Sequence, residues 1–179
     1  MWQVWYPSRP IRLPGGQQHD STYLSLSLIL SSALIQSSGG AASAGSWDMN
    51  LQNSASFLCL SPTTTGNGAL MVQRACGQSV YQRWTFTSPG ADGYFQIRNA
   101  TNNLCLSIVD SSRSDGARAN AWACGGYASQ YWRSDRGWYV NKNSGKCFAI
   151  RGGAGQNLPE NPIIQWGCYN TEKELWSYW

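Results

Sequence analysis

From about residue 46 onward the apolar residues come in short runs, broken by clusters of Gly, Asn, Asp, Ser and Pro, and no stretch sustains a helical period. Many short apolar runs with turn signals between them predict a β-barrel or sandwich. The runs fall into three sets that can be laid over one another. First strands are predicted at 47–51, 94–98 and 138–141. Polar turns at 53–55, 99–103 and 143–145 lead into second strands at 57–60, 104–107 and 146–150. A longer loop rich in Gly or Pro follows each time, then third strands at 70–73, 119–122 and 163–166. A fourth strand is predicted at or after Trp84, Trp132 and Trp176, the last of them short.

Landmarks recur in phase with these strands. Cys59/Cys76, Cys105/Cys124 and Cys147/Cys168 each precede a tripeptide ending in Trp: Gln82-Arg83-Trp84, Gln130-Tyr131-Trp132 and Glu174-Leu175-Trp176. The first cysteines are spaced 46 and 42 residues apart, and the tryptophans 48 and 44. An internal repeat of this period decides the fold ahead of local propensity, because one unit cannot bury its apolar face alone. The expectation is an all-β protein with three units, 46–93, 94–137 and 138–179, packed about a pseudo-threefold axis. Trp84, Trp132 and Trp176 would then be equivalent core residues, each burying roughly 150–250 Å². Six cysteines permit many pairings, but a repeated unit with two cysteines most simply closes its own bridge. Cys59–Cys76, Cys105–Cys124 and Cys147–Cys168 are therefore expected, at separations of 17, 19 and 21 residues. Each should contribute about 3 kcal/mol by restricting the unfolded chain. The spacings lack the Cys-x-x-Cys knuckles that zinc sites favour, so no metal is expected.

The residues before 46 read differently. Residues 24–35 form an apolar stretch broken by serines, shorter than the about 20 residues a membrane-spanning helix needs. Arg9 and Arg12 precede it, and Ala42-Ser43-Ala44 follows with the small-x-small form of a signal-peptidase site. This pattern predicts a signal peptide at 1–44 and a secreted domain at 45–179, with no membrane insertion. Cysteine usage agrees, since disulfides persist in oxidising compartments. The formal net charge is +4, but Arg74, Arg83, Arg98, Arg118 and Arg136 are scattered along the chain. Nucleic-acid binding would call for a basic patch or stripe, so that partner is not expected.

In the two Gln-x-Trp tripeptides and the phased cysteine pairs the chain resembles the ricin-type lectins, a β-trefoil family, and the family 13 carbohydrate-binding modules that share the pattern. The resemblance implies sugar binding in up to three shallow pockets, one per repeat. There an aromatic ring stacks on the apolar face of a sugar while carboxylate and amide groups bond its hydroxyls. It also implies where to look. An Asp is expected two residues after the first cysteine, where this chain has Ser61, Ser107 and Ala149. The stacking aromatic belongs two before the second cysteine, where Arg74, Trp122 and Trp166 stand. An amide belongs four before it, and the positions hold Val72, Asn120 and Ile164. The residue ahead of the tripeptide, often Asn, is Tyr81, Ser129 or Lys173. The second repeat thus keeps Asn120, Trp122 and Gln130, with Ser107 and Ser129 as neutral substitutes and Asp110 as a carboxylate from the adjoining loop. The third keeps the ring of Trp166, with Gln165 in a shifted register, and the first is expected to be structural.

The only histidine is His19, inside the expected leader. A mature chain without histidine lacks the usual base for a Ser or Cys nucleophile. Asp92, Asp110, Asp115, Asp135 and Glu160 lie mostly in Gly- or Ser-containing turns, positions that Asp favours for backbone reasons. The expectation is therefore a binding protein for glycans or glycoproteins with no catalytic residue and no cofactor. The alternative is a trefoil scaffold with decayed sugar sites, acting on a protein such as a protease through loops 61–68 or 152–162. Asn99-Ala100-Thr101 forms a glycosylation sequon in a predicted surface turn, where the plain turn reading is the simpler one.

Overall fold

The computed structural model describes residues 48–153 and 156–178. The leader expected at 1–44 lies outside the described residues. Within them the chain forms twelve strands, four per repeat. The first repeat holds β1 (Met49–Asn53), β2 (Cys59–Pro62), β3 (Met71–Arg74) and β4 (Arg83–Phe86). The second holds β5 (Phe95–Asn99), β6 (Cys105–Ile108), β7 (Ala119–Trp122) and β8 (Tyr131–Asp135). The third holds β9 (Trp138–Asn141), β10 (Cys147–Ile150), β11 (Ile163–Trp166) and the short β12 (Trp176–Tyr178). Among the described residues the only helices are single 3-10 turns, three of them leading into the Trp-bearing strands.

All pairings are antiparallel. β1 pairs with β12 and β4, β5 with β4 and β8, and β9 with β8. These six strands form a ring, from which the hairpins β2–β3, β6–β7 and β10–β11 branch. The ring is not closed by a continuous ladder: β9 meets the start of β12 only in the bridge Trp138↔Leu175, with the Trp176 N–H on the Gly137 carbonyl at 3.0 Å.

The core follows the repeat. Trp84, Trp132 and Trp176 are buried, and each indole N–H donates to the carbonyl just after its repeat's first cysteine: Leu60 at 3.3 Å, Leu106 at 2.9 Å and Phe148 at 3.2 Å. A buried indole N–H needs such a partner. The three disulfides join the expected partners within each repeat.

A second threefold set was not read from the sequence. Asn53, Asn99 and Asn141 are buried, and each Oδ1 accepts backbone N–H groups two and three residues on. Each Nδ2 donates to the turn before a Trp strand: Asn53 to Lys173 O at 3.0 Å, Asn99 to Tyr81 O at 2.6 Å, Asn141 to Ser129 O at 2.8 Å. The sequon at Asn99 is therefore no surface acceptor: its amide is buried and bonded at both ends. The signal was present, since each of these asparagines stands six residues before a first cysteine.

Candidate functional site

Strand alternation sorts the three hairpins into inner and outer faces. In β6–β7 the register pairs Cys105 with Trp122 and Ser107 with Asn120 on one face, and Leu106 with Ala121 and Ile108 with Ala119 on the other. The second set is part of the core, so Trp122, Ser107 and Asn120 face outward. The same register gives the outer pairs Cys59/Arg74 and Ser61/Val72 on β2–β3, and Cys147/Trp166 and Ala149/Ile164 on β10–β11. Gln165 is on the inner face, buried, with its Nε2 donating to Ser112 O at 2.8 Å and Ser114 O at 2.9 Å. It braces a loop and does not join Trp166.

Each outer face meets the long loop of another repeat through one bridge: Leu70↔Asn120, Arg118↔Ile164 and Pro162↔Val72. Two residues before each bridge the chain turns through positive φ, at Gly68 (+88°), Gly116 (+81°) and Glu160 (+67°). Their N–H groups bond Ala121 O, Gln165 O and Gln73 O at 2.7, 2.9 and 2.8 Å. A Cβ on Gly68 would lie 3.3 Å from Trp122 Cζ3, and one on Gly116 3.8 Å from Trp166 Cζ3. Glycine at these positions lets a tryptophan ring lie against the loop.

In the second repeat this geometry makes an open cleft of about 360 Å³ lined by every residue expected there: Ser107, Asp110, Asn120, Trp122, Ser129 and Gln130. Trp122 is 44% exposed. Ser111, Ser129 and Ser107 form a line of hydroxyls, with Oγ–Oγ distances of 2.9 and 3.4 Å. Asn120 Oδ1 is buried without a hydrogen-bond partner. Asp110 is exposed on the turn after β6, where Asp110 and Ser111 both take left-handed backbone, φ +54° and +49°. Consecutive non-glycine residues in that region store strain that the surroundings must hold. Here the Val109 N–H bonds Arg118 O at 3.0 Å, and Asn143 Nδ2 bonds Ser111 O at 2.7 Å. Gln130 is engaged by the backbone: its Oε1 accepts the Gly125 N–H at 2.7 Å and its Nε2 donates to Ala123 O at 2.8 Å. The Gln of the tripeptide thus clamps the segment after the second cysteine. Tyr127, Ser111, Gly68 and Leu70 also line the cleft and were not expected there. Gly68 had a signal, since Gly68, Gly116 and Glu160 each stand eight residues before a second cysteine.

The other two faces are built differently. In the first repeat Arg74 replaces the aromatic and Glu160 the glycine, and they pair: Arg74 Nε with Glu160 Oε1, and Nη2 with Oε2 at 3.0 Å. The hydrogen bond from Arg74 holds the Glu160 carboxyl below its ordinary range. Ser61 and Val72 are buried beneath the loop that carries Glu160. In the third repeat Trp166 is 36% exposed on a cleft of about 430 Å³ shared with Arg151 and Lys173, and Ala149 and Ile164 replace the polar pair of the second.

The family model for the ricin-type β-trefoil lectin domain-like family matches residues 40–122 and 80–166. The chain belongs to this family. Its fold is similar to ThreeFoil, a designed three-fold symmetric protein, at 25% identity and TM-score 0.68 over 73% of this chain and 96% of that one. An exo-β-1,3-galactanase from Clostridium thermocellum matches at 24% identity and TM-score 0.69 over 75% of this chain, which spans only 30% of the galactanase. The C-half of an earthworm R-type lectin, in complex with GalNAc, matches at 9% identity and TM-score 0.57 over 73% of this chain and 96% of that one. No curated protein matches the chain.

Proposed function

We propose that this protein is a secreted carbohydrate-binding protein whose principal sugar site is the second-repeat cleft. The observation that carries the reading is the conjunction in one open cleft of a half-exposed Trp122 seated on Gly68, the exposed Asp110, and the partnerless amide oxygen of Asn120. A sugar ring offers an apolar patch of C–H groups to the indole and hydroxyls to the polar groups. A mixed surface with a few convergent polar groups is what a small-molecule site requires. A carboxylate acceptor makes the stronger hydrogen bond to a hydroxyl, so Asp110 compensates for Ser107 at the position where the family resemblance implies an Asp. Family membership supports the same reading, as does the lectin neighbour solved with GalNAc.

The test is a neutral-glycan array with the purified, oxidised protein and Trp122→Ala. The expected result is binding by the parent, weakened at least about tenfold, or roughly 1.4 kcal/mol, in a variant whose near-ultraviolet circular dichroism shows it folded. A silent array from folded parent protein contradicts the proposal. Three disulfides and the apolar segment at 24–35 support export. The amino terminus of the exported protein should be Gly45, and export with residues 1–44 retained would contradict that part.

A further inference from the structure

The third-repeat cleft has the same scaffold as the second and different chemistry. Where the second has Ser129, the third has Lys173, whose ammonium lies 5.9 Å from the centroid of the Trp166 ring. Where the second has Leu70 in the bridge to the neighbouring loop, the third has Arg118, bridged to Ile164. Arg151, at the end of β10, lines the cleft with Lys173, Trp166 and the glycines Gly116, Gly152 and Gly153. Two cations, Arg151 and Lys173, thus line the cleft beside one exposed indole, with Arg118 on the bridging loop next to it.

None of the three forms an ion pair among the described residues, whose pairs are Arg74–Glu160, Arg136–Asp135, Lys142–Asp92 and Lys146–Asp115. The carboxylates on adjoining segments are otherwise disposed. Asp115 is held by Lys146 at 2.7 Å, Glu174 is buried and accepts the N–H groups of Tyr169 and Thr171, and Glu172 is exposed on its turn. Arg118 Nε is buried and donates to nothing among the described residues. Burial, and secondarily the charge of Arg151, lower the proton affinity of the Arg118 guanidinium. Like charges drawn together with a donor left unsatisfied are costly unless an anion completes the set. Guanidinium and ammonium groups together suit a sulfate or carboxylate, and arginine can bond it bidentately. The indole supplies a flat apolar surface for the ring that carries the anion.

We infer that the third-repeat cleft binds an acidic saccharide, with Arg151 and Lys173 taking its sulfate or carboxylate group, Trp166 taking the sugar ring and Arg118 adding to the field. This site is separate from the neutral-sugar cleft of the second repeat, and either can fail without the other.

The experiment is calorimetric titration of the purified, oxidised protein with three probes: a sulfated heparin-derived tetrasaccharide, an oligogalacturonate and inorganic sulfate. Parent protein should bind at least one of the two oligosaccharides, with affinity falling steeply as salt rises, because screening shortens the reach of the charges. Preference between the two identifies the anion, and either preference supports the site. Arg151→Ala and Lys173→Ser should each weaken binding about tenfold. Arg133→Ala, which removes a cation from the exposed face of β8, should leave it unchanged. Three results would overturn the inference: no binding of either oligosaccharide at low salt, equal loss in Arg133→Ala, or free sulfate binding as tightly as the oligosaccharides.

Discussion

The first and second repeats build the same hairpin and meet the same kind of loop, yet one presents a cleft and the other a closed surface. The difference lies in two positions. The second repeat pairs Trp122 with Gly68, so a ring lies against bare backbone and stays accessible. The first pairs Arg74 with Glu160, and an ion pair spans the place where a ring would lie. The backbone is indifferent to the exchange: both loops keep positive φ and the same N–H to carbonyl bond into the hairpin. A trefoil repeat can therefore lose or keep a pocket without touching its core, and the core residues say little about which has happened.

If the scaffolds are equivalent, Trp84→Ala and Trp132→Ala should be the most damaging single changes in their repeats, each lowering stability by about 3–5 kcal/mol. Urea titration would show it. A cost more than about 2 kcal/mol smaller at one of them would mean that the two repeats do not share the core equally.

Gly68→Glu would give the second repeat the residue that the first carries at this place. Glu160 already occupies that backbone conformation, so the fold should survive at a cost of about 1–2 kcal/mol. The Cβ would stand 3.3 Å from Trp122 Cζ3, so the ring must give by a few tenths of an ångström, and the longer Glu side chain competes for the space beside it. Neutral-sugar affinity should fall about tenfold; unchanged affinity would show that the ring does not depend on this glycine.

The third repeat sharpens the role of the tripeptide glutamine. Gln82 and Gln130 donate to the carbonyls of Ala75 and Ala123 at 2.9 and 2.8 Å, whereas Glu174 Oε1 is buried with no partner. Glu174→Gln restores an amide donor for the equivalent carbonyl, Gly167 O. Stability at neutral pH should rise by about 1 kcal/mol in denaturant titration, and a fall would show that the carboxylate is needed where it is.

The smallest effect belongs to the ion pair that closes the first repeat. Both partners are partly exposed, so the pair contributes less than about 1 kcal/mol. Because Arg74 lowers the Glu160 carboxyl, that contribution is complete above the ordinary carboxylate range and is lost as pH falls through the folded-state value. The stability difference between parent and Glu160→Gln should therefore be visible at neutral pH and vanish in acid. A difference that grew in acid would reverse the sign.

Much of the scaffold was legible because repetition overrides weak local signals. The strand positions, the three local disulfides and the three buried tryptophans all follow from laying one unit over the next. The cleft was legible only where its residues come from one repeat. Ser107, Asn120 and Trp122 could be named from their distance to a cysteine. Gly68 and Leu70 come from another repeat, and spacing within one unit does not reveal that the units interlock. Gln165 was misplaced by ignoring strand alternation: if Trp166 faces out, its neighbour faces in. At Asn99 the plain turn reading agrees with the structure, but the turn position is not exposed, because the asparagine amide ties the turn to the core.

What separates the second cleft from the third is which indole a neutral sugar touches. Two-dimensional NMR of the indole N–H groups can decide it, with Trp122 and Trp166 assigned from Trp122→Phe and Trp166→Phe and the titrant taken as the strongest neutral glycan from the array. The Trp122 resonance should move in proportion to occupancy while that of Trp166 stays in place. Movement of Trp166 with Trp122 unmoved would contradict the assignment of the sugar site to the second repeat.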